Sequence, residues 1–443
     1  MSLKSEFLEK VKSRSAVIGV VGLGYVGLPL AVEFAKEGFH VIGIDISADK
    51  VDALNAGRSY IPGVGQAEVA ALVRSGCLRA TTDYAVLRDA AVDAVSICVP
   101  TPLRKTRDPD LSYVIAAAEE IVKYSRAGLL IVLESTTYPG TTEEILLPRL
   151  VHNGFKIGQD VFLAFSPERI DPGNADYGVR NTPKVIGGTT PDCCEVAVAL
   201  YATAVDRVVP VSSTQTAEMV KLLENTFRAV NIGLVNEMAI ICDKIGVDVW
   251  EVIRAADSKP FGFMPFYPGP GLGGHCIPID PLYLSWRMKS FNYNARFIEL
   301  ADQINTSMPL HVVTKIADAL NEVGRPVRGS KILVLGVAYK RDVDDVREAP
   351  ALDVIKLLLD RHAEVTYHDP FVPQISLELA GGHGALRSIP YGREALAAAD
   401  CVVIITDHTS FDWAEIAGTA ALIVDTRNAT AGVNAEGARI VRL

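Results

Sequence analysis

The sequence of 443 residues contains no apolar run as long as the ~18–20 residues that a membrane-spanning helix requires. Its first segment, MSLKSEFLEKVKSRS, is charged and has no apolar region of the kind found in signal peptides. Basic charge is also in deficit, because 43 Lys and Arg residues stand against 53 Asp and Glu residues and leave a formal net charge of −10. We therefore expect a cytoplasmic protein whose partner is neither a membrane nor a nucleic acid.

Seven cysteines, an odd number without regular spacing, do not form a disulfide framework. No group of cysteine and histidine residues has the spacing of zinc ligands, so we predict no metal site. The chain has an ordinary globular composition, with 49% apolar and 22% charged residues. Its length is too great for one hydrophobic core and predicts two or three domains.

In the first half of the chain, short apolar runs alternate with segments of helical length. This alternation predicts a parallel β-sheet with helices on both faces. The predicted strands are residues 16–21, 41–44, 94–99, 129–133, 161–165 and 184–186.

From residue 214 the pattern is helical, and it predicts one long helix over 214–244 and further helices through 255 and across 294–307. A second alternating region follows, with predicted strands 331–335, 364–367, 401–406 and 421–425 and helices 351–361 and 394–399. The predicted α/β fold therefore has two Rossmann-like, doubly wound parallel-sheet domains joined by a helical central domain with a long helix. The predicted domain boundaries are 1–208, 209–310 and 311–443.

A glycine fingerprint follows the first predicted strand and opens a helix. In such a turn Gly22 makes the bend, Gly24 admits a pyrophosphate, and Gly27 lets helix and strand pack closely. Asp45 ends the next strand, where its carboxylate can bind ribose hydroxyls and repel the 2′-phosphate of NADP. The spacing predicts an NAD site, and a glycine turn that serves only packing is the alternative.

Further residues are assigned to the same cofactor site. VPTP and EST follow two later strands, at the carboxyl ends where ligands bind in open α/β sheets, although each alone is typical of an ordinary turn. The residues added to the cofactor site are Tyr25, Val26, Lys50, Pro100, Thr101, Ser135 and Thr136.

A lone cysteine, Cys276, lies in the glycine-rich segment GPGLGGHCIPIDP at residues 269–281. Glycines let the backbone approach a ligand closely, and a thiol can form an adduct with an electrophilic carbonyl. Lys221 and Asn225 are one turn apart on the long predicted helix, so they could stabilise an oxyanion together. The alternatives are a structural cysteine, a solvated lysine and a surface asparagine. Glu168 follows a predicted strand and is a candidate base or substrate contact.

Several segments together resemble the UDP-glucose/GDP-mannose dehydrogenase family, in order over about residues 15–430: GLGYVGLPLA, VPTP, EST, SPER, EMVKLLENTFRAVNI, GPGLGGHCIPIDP and GVAYKRDVDDVRE. Among its branches the chain looks most like the bacterial UDP-N-acetylglucosamine 6-dehydrogenases, through ESTTYPGTTEE and KPFGFMPFYPGPGLGGHCIPIDPLYL. The resemblance implies two hydride transfers to NAD, which convert the carbon-6 alcohol of a nucleotide-linked hexose to a carboxylate. Cys276 would form a thiohemiacetal and then a thioester that water hydrolyses.

The resemblance also implies roles for other residues. Lys221 and Asn225 would stabilise oxyanions at carbon 6. Asp280 and Thr136 would hold or deprotonate the water, and Glu168 would act as a base or as an electrostatic partner.

The C-terminal half would bind the nucleotide diphosphate, and Arg347 matches a family position that reaches the NAD. The implied substrate contacts are Glu168, Arg169, Lys221, Asn225, Phe261, Phe266, Tyr267, Gly273, Tyr339 and Lys340.

A homodimer is predicted because the apolar residues of the long helix exceed what one stripe against a single domain requires. Burial of that helix between two domains of one chain is the alternative.

The identity of the sugar stays open between N-acetylglucosamine, which we prefer, and glucose, N-acetylmannosamine or N-acetylgalactosamine. The choice between UDP and dTDP as the carrier also stays open. A β-hydroxyacid dehydrogenase would need neither the cysteine nor the second α/β domain. A non-catalytic NAD-binding protein would bind the cofactor without turnover.

Overall fold

The computed structural model describes residues 2–61, 63–104, 107–170, 176–379, 382–434 and 437–443. The chain divides into two compact units. The first comprises Met1–Glu224 and Trp286–Phe291, and the second comprises Asn225–Ser285 and Asn292–Leu443. The three-domain division stays a prediction.

The first unit is built on an eight-stranded sheet, ordered β3-β2-β1-β4-β5-β6-β7-β8. Its strands are β1 (Val17–Val21), β2 (His40–Ile44), β3 (Leu78–Thr81), β4 (Ala94–Ile97), β5 (Leu130–Leu133), β6 (Phe162–Phe165), β7 (Lys184–Gly188) and β8 (Val208–Val211). The first six follow the 3-2-1-4-5-6 order of dinucleotide-binding folds. β7 pairs with β6 in antiparallel orientation, which the sequence did not predict.

Helices cover both faces of this sheet, as the alternating pattern predicted. They are α1 (Leu3–Lys12), α2 (Gly27–Lys36), α3 (Ala48–Asn55), α4 (Gln66–Arg74), α5 (Val86–Asp89), α6 (Ser112–Tyr124), α7 (Leu147–His152) and α8 (Pro191–Tyr201), with a π-helical turn at Thr142–Leu146. In β5, Leu130 and Val132 belong to one hydrophobic core, and Ile131 and Leu133 belong to the other. Both faces of the strand are therefore apolar, because successive side chains point to opposite faces of a sheet.

The middle of the chain is helical, with α9 (Thr214–Ile245), α10 (Val249–Asp257), α11 (Asp280–Lys289) and α12 (Arg296–Glu322). The long predicted helix is confirmed within one residue of its end. The prediction that the later helix ends at 307 is wrong, because α12 continues through Pro309 to Glu322. Proline removes one backbone hydrogen bond, and burial of Val312 and Ile316 in the core of the second unit keeps the helix intact beyond it.

The second unit contains a five-stranded parallel sheet, ordered β10-β9-β13-β14-β15, and an antiparallel hairpin of β11 and β12. The elements are β9 (Lys331–Leu335), β10 (Glu364–His368), β11 (Gln374–Leu379), β12 (Gly382–Arg387), β13 (Cys401–Ile404), β14 (Leu422–Asp425) and β15 (Arg439–Arg442), with α13 (Pro350–Asp360), α14 (Arg393–Ala398) and α15 (Trp413–Thr419). A second doubly wound sheet was predicted and is confirmed, although its strand order is of the 2-1-3-4-5 type. The hairpin was not predicted.

Among the described residues, no helix combines the length and apolar character that a membrane crossing needs.

Candidate functional site

Two of the three glycines of the first turn lie where a side chain would collide with the backbone. Gly22 has a φ of +89°, and a Cβ there would lie 2.6 Å from the carbonyl oxygen of Cys98. A Cβ on Gly27, the first residue of α2, would lie 1.8 Å from the carbonyl oxygen of Gly22. No atom lies within 4 Å of a Cβ on Gly24, so this face of the turn is open. An open, glycine-lined helix N-terminus fits the pyrophosphate of NAD.

Asp45 follows the last residue of β2 and is buried. Its carboxylate accepts hydrogen bonds from the backbone N–H groups of Leu23, at 2.8 Å, and Ser47, at 2.9 Å. The Lys50 ammonium lies 3.3 Å from the same carboxylate. Oδ2 accepts both the Leu23 N–H and the Lys50 ammonium, whereas Oδ1 accepts only the Ser47 N–H. Oδ1 therefore keeps a lone pair, and Asp45 can hold the glycine turn and still accept a ribose hydroxyl. The predicted ribose contact therefore fits the structure.

The other predicted cofactor residues lie around this turn or at the neighbouring strand ends. Tyr25 is 40% exposed, and Val26 immediately precedes α2. Pro100 is exposed and Thr101 is buried just beyond β4. Beyond β5, the next strand of the sheet, the Ser135 hydroxyl donates to the carbonyl oxygen of Val99 at 2.7 Å, and Thr136 is half-buried.

A buried ion cluster at the end of β5 was missed by the sequence analysis. The Lys184 ammonium donates to Glu134 at 2.5 Å and to Glu168 at 3.2 Å. Tyr201 donates a short hydrogen bond to the other oxygen of Glu134, and its hydroxyl lies 2.8 Å from the Ser96 hydroxyl. Lys184 is only 5% exposed and Glu134 only 1%.

Glu168, the predicted base, is held as an anion. One of its oxygens accepts the backbone N–H groups of Arg169 and Ile170, each at 2.7 Å. Burial alone would raise the pKa of Glu168, but the Lys184 ammonium, these N–H groups and the Lys221 charge hold it below its usual value. At neutral pH this carboxylate accepts hydrogen bonds and cannot donate a proton.

Arg169 was predicted to contact the substrate, and the structure engages its guanidinium within the first unit. It binds both carboxylate oxygens of Glu224, at 2.6 and 3.2 Å, and donates to the carbonyl oxygen of Pro183 at 2.6 Å. These contacts fasten the segment after β6 to α9.

Lys221 and Asn225 lie one turn apart on α9, and both are only 7% exposed. The alternative of a solvated lysine and a surface asparagine is therefore wrong. One turn before Lys221, buried Glu218 accepts the backbone N–H groups of Gly140 and Thr142, at 2.5 and 2.9 Å. Burial raises the pKa of Glu218 to about 7. The backbone just after Thr136 is thus tied to the helix that carries Lys221.

In the second unit the half-buried Cys276 forms the turn that begins α11. Its carbonyl oxygen accepts the N–H groups of Ile279, at 3.1 Å, and Asp280, at 2.8 Å. The Asn225 amide donates to the Asp280 carboxylate at 2.5 Å, and Asp280 is 3% exposed. Burial lowers the pKa of neighbouring His275, which favours a neutral imidazole. The structure thus brings three predicted catalytic residues together.

The glycines of the cysteine segment pack against the start of the second α/β sheet. A Cβ on Gly273 would lie 2.7 Å from Cβ of Tyr339. The N–H of Gly274 donates to the carbonyl oxygen of Arg347 at 3.0 Å, and the Arg347 guanidinium binds Asp345 at 2.6 Å. Tyr339 and Lys340 are half-buried just beyond β9.

Three aromatic residues that were predicted to contact the substrate precede the cysteine segment in the sequence. Phe261 is 69% exposed. Phe266 meets Phe227 edge to face at 5.8 Å between ring centroids, and Tyr267 stacks on Trp250 at 6.2 Å.

Among the described residues, no group of three or more His, Cys, Asp or Glu side chains is placed to hold a metal ion.

Comparisons with known proteins match most of the chain. Three models of the UDP-glucose/GDP-mannose dehydrogenase family match in succession: the NAD-binding domain over residues 16–205, the central domain over 215–307 and the UDP-binding domain over 333–432. The UDP-N-acetyl-D-mannosamine dehydrogenase of Escherichia coli K12 is 37% identical over 411 residues, which are 89% of this chain and 94% of the relative.

The NDP-N-acetyl-D-galactosaminuronic acid dehydrogenase of Ralstonia nicotianae is also 37% identical, over 89% of this chain and 91% of the relative. Among solved structures, a UDP-D-ManNAc dehydrogenase from Pyrococcus horikoshii superposes with a TM-score of 0.87 at 33% identity, over 96% of this chain and 98% of the other.

Proposed function

Because the chain belongs to the UDP-glucose/GDP-mannose dehydrogenase family and is an NAD-dependent UDP-sugar dehydrogenase, we propose that it oxidises carbon 6 of UDP-N-acetylmannosamine to a carboxylate. The names of the relatives from Escherichia coli and Pyrococcus horikoshii support this sugar over N-acetylglucosamine, which the sequence alone led us to prefer. The observation that carries the chemistry is the position of the half-buried Cys276 at the turn that leads into Asp280. The buried Asp280 carboxylate accepts a hydrogen bond from the Asn225 amide.

Bound NAD supplies the hydride acceptor for each of the two oxidations. Gly22, Gly24 and Gly27 would lie against its pyrophosphate, and Asp45 would accept a ribose hydroxyl. Thr101 and Ser135, at the adjacent strand ends, would line the same site.

The thiol holds the reactive intermediate between the two oxidations. The carbon-6 alcohol first loses a hydride and its hydroxyl proton, which leaves an aldehyde. The Cys276 sulfur adds to the carbonyl carbon as the oxygen takes a proton, giving a thiohemiacetal. Loss of a second hydride from carbon 6 and of the hydroxyl proton gives a thioester. Water then cleaves the carbon–sulfur bond, releasing the carboxylate and restoring the thiol.

The remaining residues would stabilise charge around carbon 6. Lys221 and Asn225 would donate to its oxyanion. Asp280 and Thr136 would hold the hydrolytic water. Glu168 enters as a carboxylate and would act as an acceptor or electrostatic partner. Its low pKa makes it a poor proton donor.

Further substrate contacts are proposed for residues of the second unit. Tyr339, Lys340 and Gly273 would contact the nucleotide sugar in the second unit, with Phe261, Phe266 and Tyr267. Arg347 would contact the bound NAD.

We further propose that α9 pairs with α9 of a second copy of the chain. Apolar residues recur along it with an 11-residue repeat, at Met219, Leu223, Phe227, Val230, Leu234, Met238, Ile241 and Ile245. Of these, Leu223 is 61% exposed, Leu234 54% and Ile245 67%. An 11-residue repeat, about 3.67 residues per turn, keeps such a stripe on one face of a nearly straight helix. A second copy presents the same repeat and can cover it.

A panel of UDP-N-acetylmannosamine, UDP-N-acetylglucosamine, UDP-N-acetylgalactosamine, UDP-glucose and dTDP-glucose, incubated with NAD, tests the proposal. We expect the highest kcat/KM with UDP-N-acetylmannosamine and two NADH per uronic acid. One NADH per product would favour a β-hydroxyacid type of dehydrogenase. A preference for another sugar overturns the substrate, and no turnover with any of them overturns the enzymatic proposal.

A further inference from the structure

The cluster of Lys184, Glu134 and Tyr201 lies at the edge of the first sheet where ligands bind. β7 runs antiparallel to β6, with Phe165 opposite Gly187. Lys184 is the first residue of β7. It therefore lies beside the segment that follows the carboxyl end of β6 and contains Glu168. The ammonium reaches across to Glu134, at the carboxyl end of β5.

We infer that Lys184 is a positioning residue for the reaction: anchored by Glu134, its ammonium orients the Glu168 carboxylate and keeps it ionised. This inference rests on the proposed function, because Glu168 has a role only if carbon-6 chemistry takes place beside it.

The two carboxylates that bind Lys184 differ in their other hydrogen bonds and in their exposure. Glu134 is fixed from both sides, by the Lys184 ammonium at 2.5 Å and by the Tyr201 hydroxyl. Glu168 receives two backbone N–H bonds on one oxygen and the ammonium, at 3.2 Å, on the other. Its side chain is 13% exposed whereas that of Glu134 is 0% exposed, so Glu168 is the member of the cluster that solvent or a ligand can reach.

The charges of the cluster favour a fixed ammonium. Burial alone would lower the pKa of Lys184, but Glu134 and Glu168 together raise it above its usual range. Burial raises the pKa of Glu134, and Lys184 opposes that rise. A buried ion pair often adds no net stability over apolar side chains of similar size. The cluster is therefore better explained by what it does to Glu168 than by stability.

The titratable groups that face Glu168 come from several elements: Lys184 from β7, Lys221 from α9, Glu134 from the end of β5 and Cys98 from the end of β4. Two substitutions should change the pKa of Glu168 in opposite directions. Lys184→Met removes the neighbouring cation and should make Glu168 easier to protonate. Glu134→Gln removes a competing anion, leaves the ammonium to Glu168 and should make it harder to protonate.

We expect the acid limb of the pH profile of kcat/KM for UDP-N-acetylmannosamine to move up by about one pH unit or more in Lys184→Met. It should move down in Glu134→Gln. We also expect kcat of Lys184→Met to fall by about 100-fold, because a misplaced catalytic group is costly. If Lys184→Met does not fold, the double variant with Glu134→Gln leaves no uncompensated buried carboxylate at 134, and it should still show the upward shift.

Lys315→Met is the matched control, because it removes a buried lysine paired with Asp243 at 2.5 Å in the second unit. It should leave the acid limb of the pH profile in place.

NMR of ¹³C-glutamate-labelled protein measures the same change in the protonation of Glu168 without requiring turnover. The Glu168 resonance is assigned with Glu168→Gln. If the wild type shows no turnover but the two variants show the expected changes in the titration of Glu168, only the proposed function is contradicted. Unmoved limbs and resonances in both Lys184→Met and Glu134→Gln overturn the role of Lys184.

Discussion

At the scale of single residues, the proposed chemistry depends on where a few polar side chains meet backbone groups. Cys276 supplies the thiol, and its carbonyl oxygen begins the turn that leads into Asp280. Asp45 holds the glycine turn while its Oδ1 keeps a lone pair for a ribose hydroxyl. Each residue therefore has a local structural contact beside its proposed chemical role, and a substitution must separate the two.

Cys276→Ser should leave the turn intact, because the backbone bonds to its carbonyl oxygen do not involve the side chain. Steady production of uronic acid should stop, since a serine without an activating base is a poor nucleophile at neutral pH. Any adduct would be an ester, which hydrolyses more slowly than a thioester. Mass spectrometry after incubation with substrate and NAD should show no adduct or a stalled ester, while NAD binding stays near the wild-type level. Wild-type turnover in the variant would reduce Cys276 to a packing residue.

The enzyme should use NAD far better than NADP, because the Asp45 carboxylate repels a 2′-phosphate. Asp45→Asn should reduce the preference for NAD over NADP in kcat/KM by about 10-fold or more, because it removes the charge that repels the 2′-phosphate and weakens the hydrogen bond to the NAD ribose. Asp369→Asn is a matched control, since Asp369 binds the backbone N–H groups of Val337 and Ala338 in the second unit. The control should leave the cofactor ratio unchanged. Equal efficiency of wild type with both cofactors would remove the ribose assignment.

At the scale of elements, the two doubly wound sheets use the same device with different outcomes. In each, an aspartate after the second strand binds the turn after the first, Asp45 to Leu23 and Asp369 to Val337. Asp369, however, also accepts His408 at 3.0 Å and the N–H groups of Phe371 and Val372. Its carboxylate is saturated by the protein, which leaves the first sheet as the site with acceptors for a ribose.

The tie between α9 and the Gly140 turn should make stability depend on pH. The pKa of Glu218 is about 7 in the folded chain, against about 4.3 when unfolded, so the folded state binds this proton more tightly. The resulting stabilisation, up to about 4 kcal/mol, is fully present below about pH 4 and is lost as the pH rises through about 7.

Glu218→Gln removes this titration. The melting temperature of wild type should therefore fall relative to the variant by about 5 °C between pH 5 and pH 8, measured by scanning fluorimetry. Glu251→Gln, the same substitution at an exposed position of α10, should show no such trend. A difference between wild type and Glu218→Gln that does not change with pH would contradict the assignment.

At the scale of the whole molecule, the exposed stripe of α9 makes assembly the expected state. Light scattering at micromolar concentration should give twice the mass of one chain. Leu234→Asp introduces a charge in the middle of the stripe and should yield monomers, because an unpaired carboxylate in an apolar interface is costly. Arg228→Gln changes the net charge equally on an exposed position off the stripe and should stay dimeric. A monomeric wild type would contradict the pairing.

The sequence by itself determined the elements and the chemistry-bearing residues whose signals are local. Glycine spacing, the aspartate after β2, the length of α9 and the cysteine segment all follow from patterns along the chain, because backbone geometry and helical periodicity repeat over a few residues. The order of the first six strands agrees with the fold class that those patterns predict.

The tertiary structure alone decided which distant side chains meet. Lys184 is the first residue of its strand, and in an all-parallel sheet it would lie at the edge opposite the ligands. The antiparallel turn of β7 brings it instead to Glu134 and Glu168, 50 and 16 residues away in sequence. Strand direction depends on contacts between strands, and a single strand's apolar pattern carries no information about it. The partners of Glu218 and Asn225 also lie far away in sequence, and no local pattern identifies them.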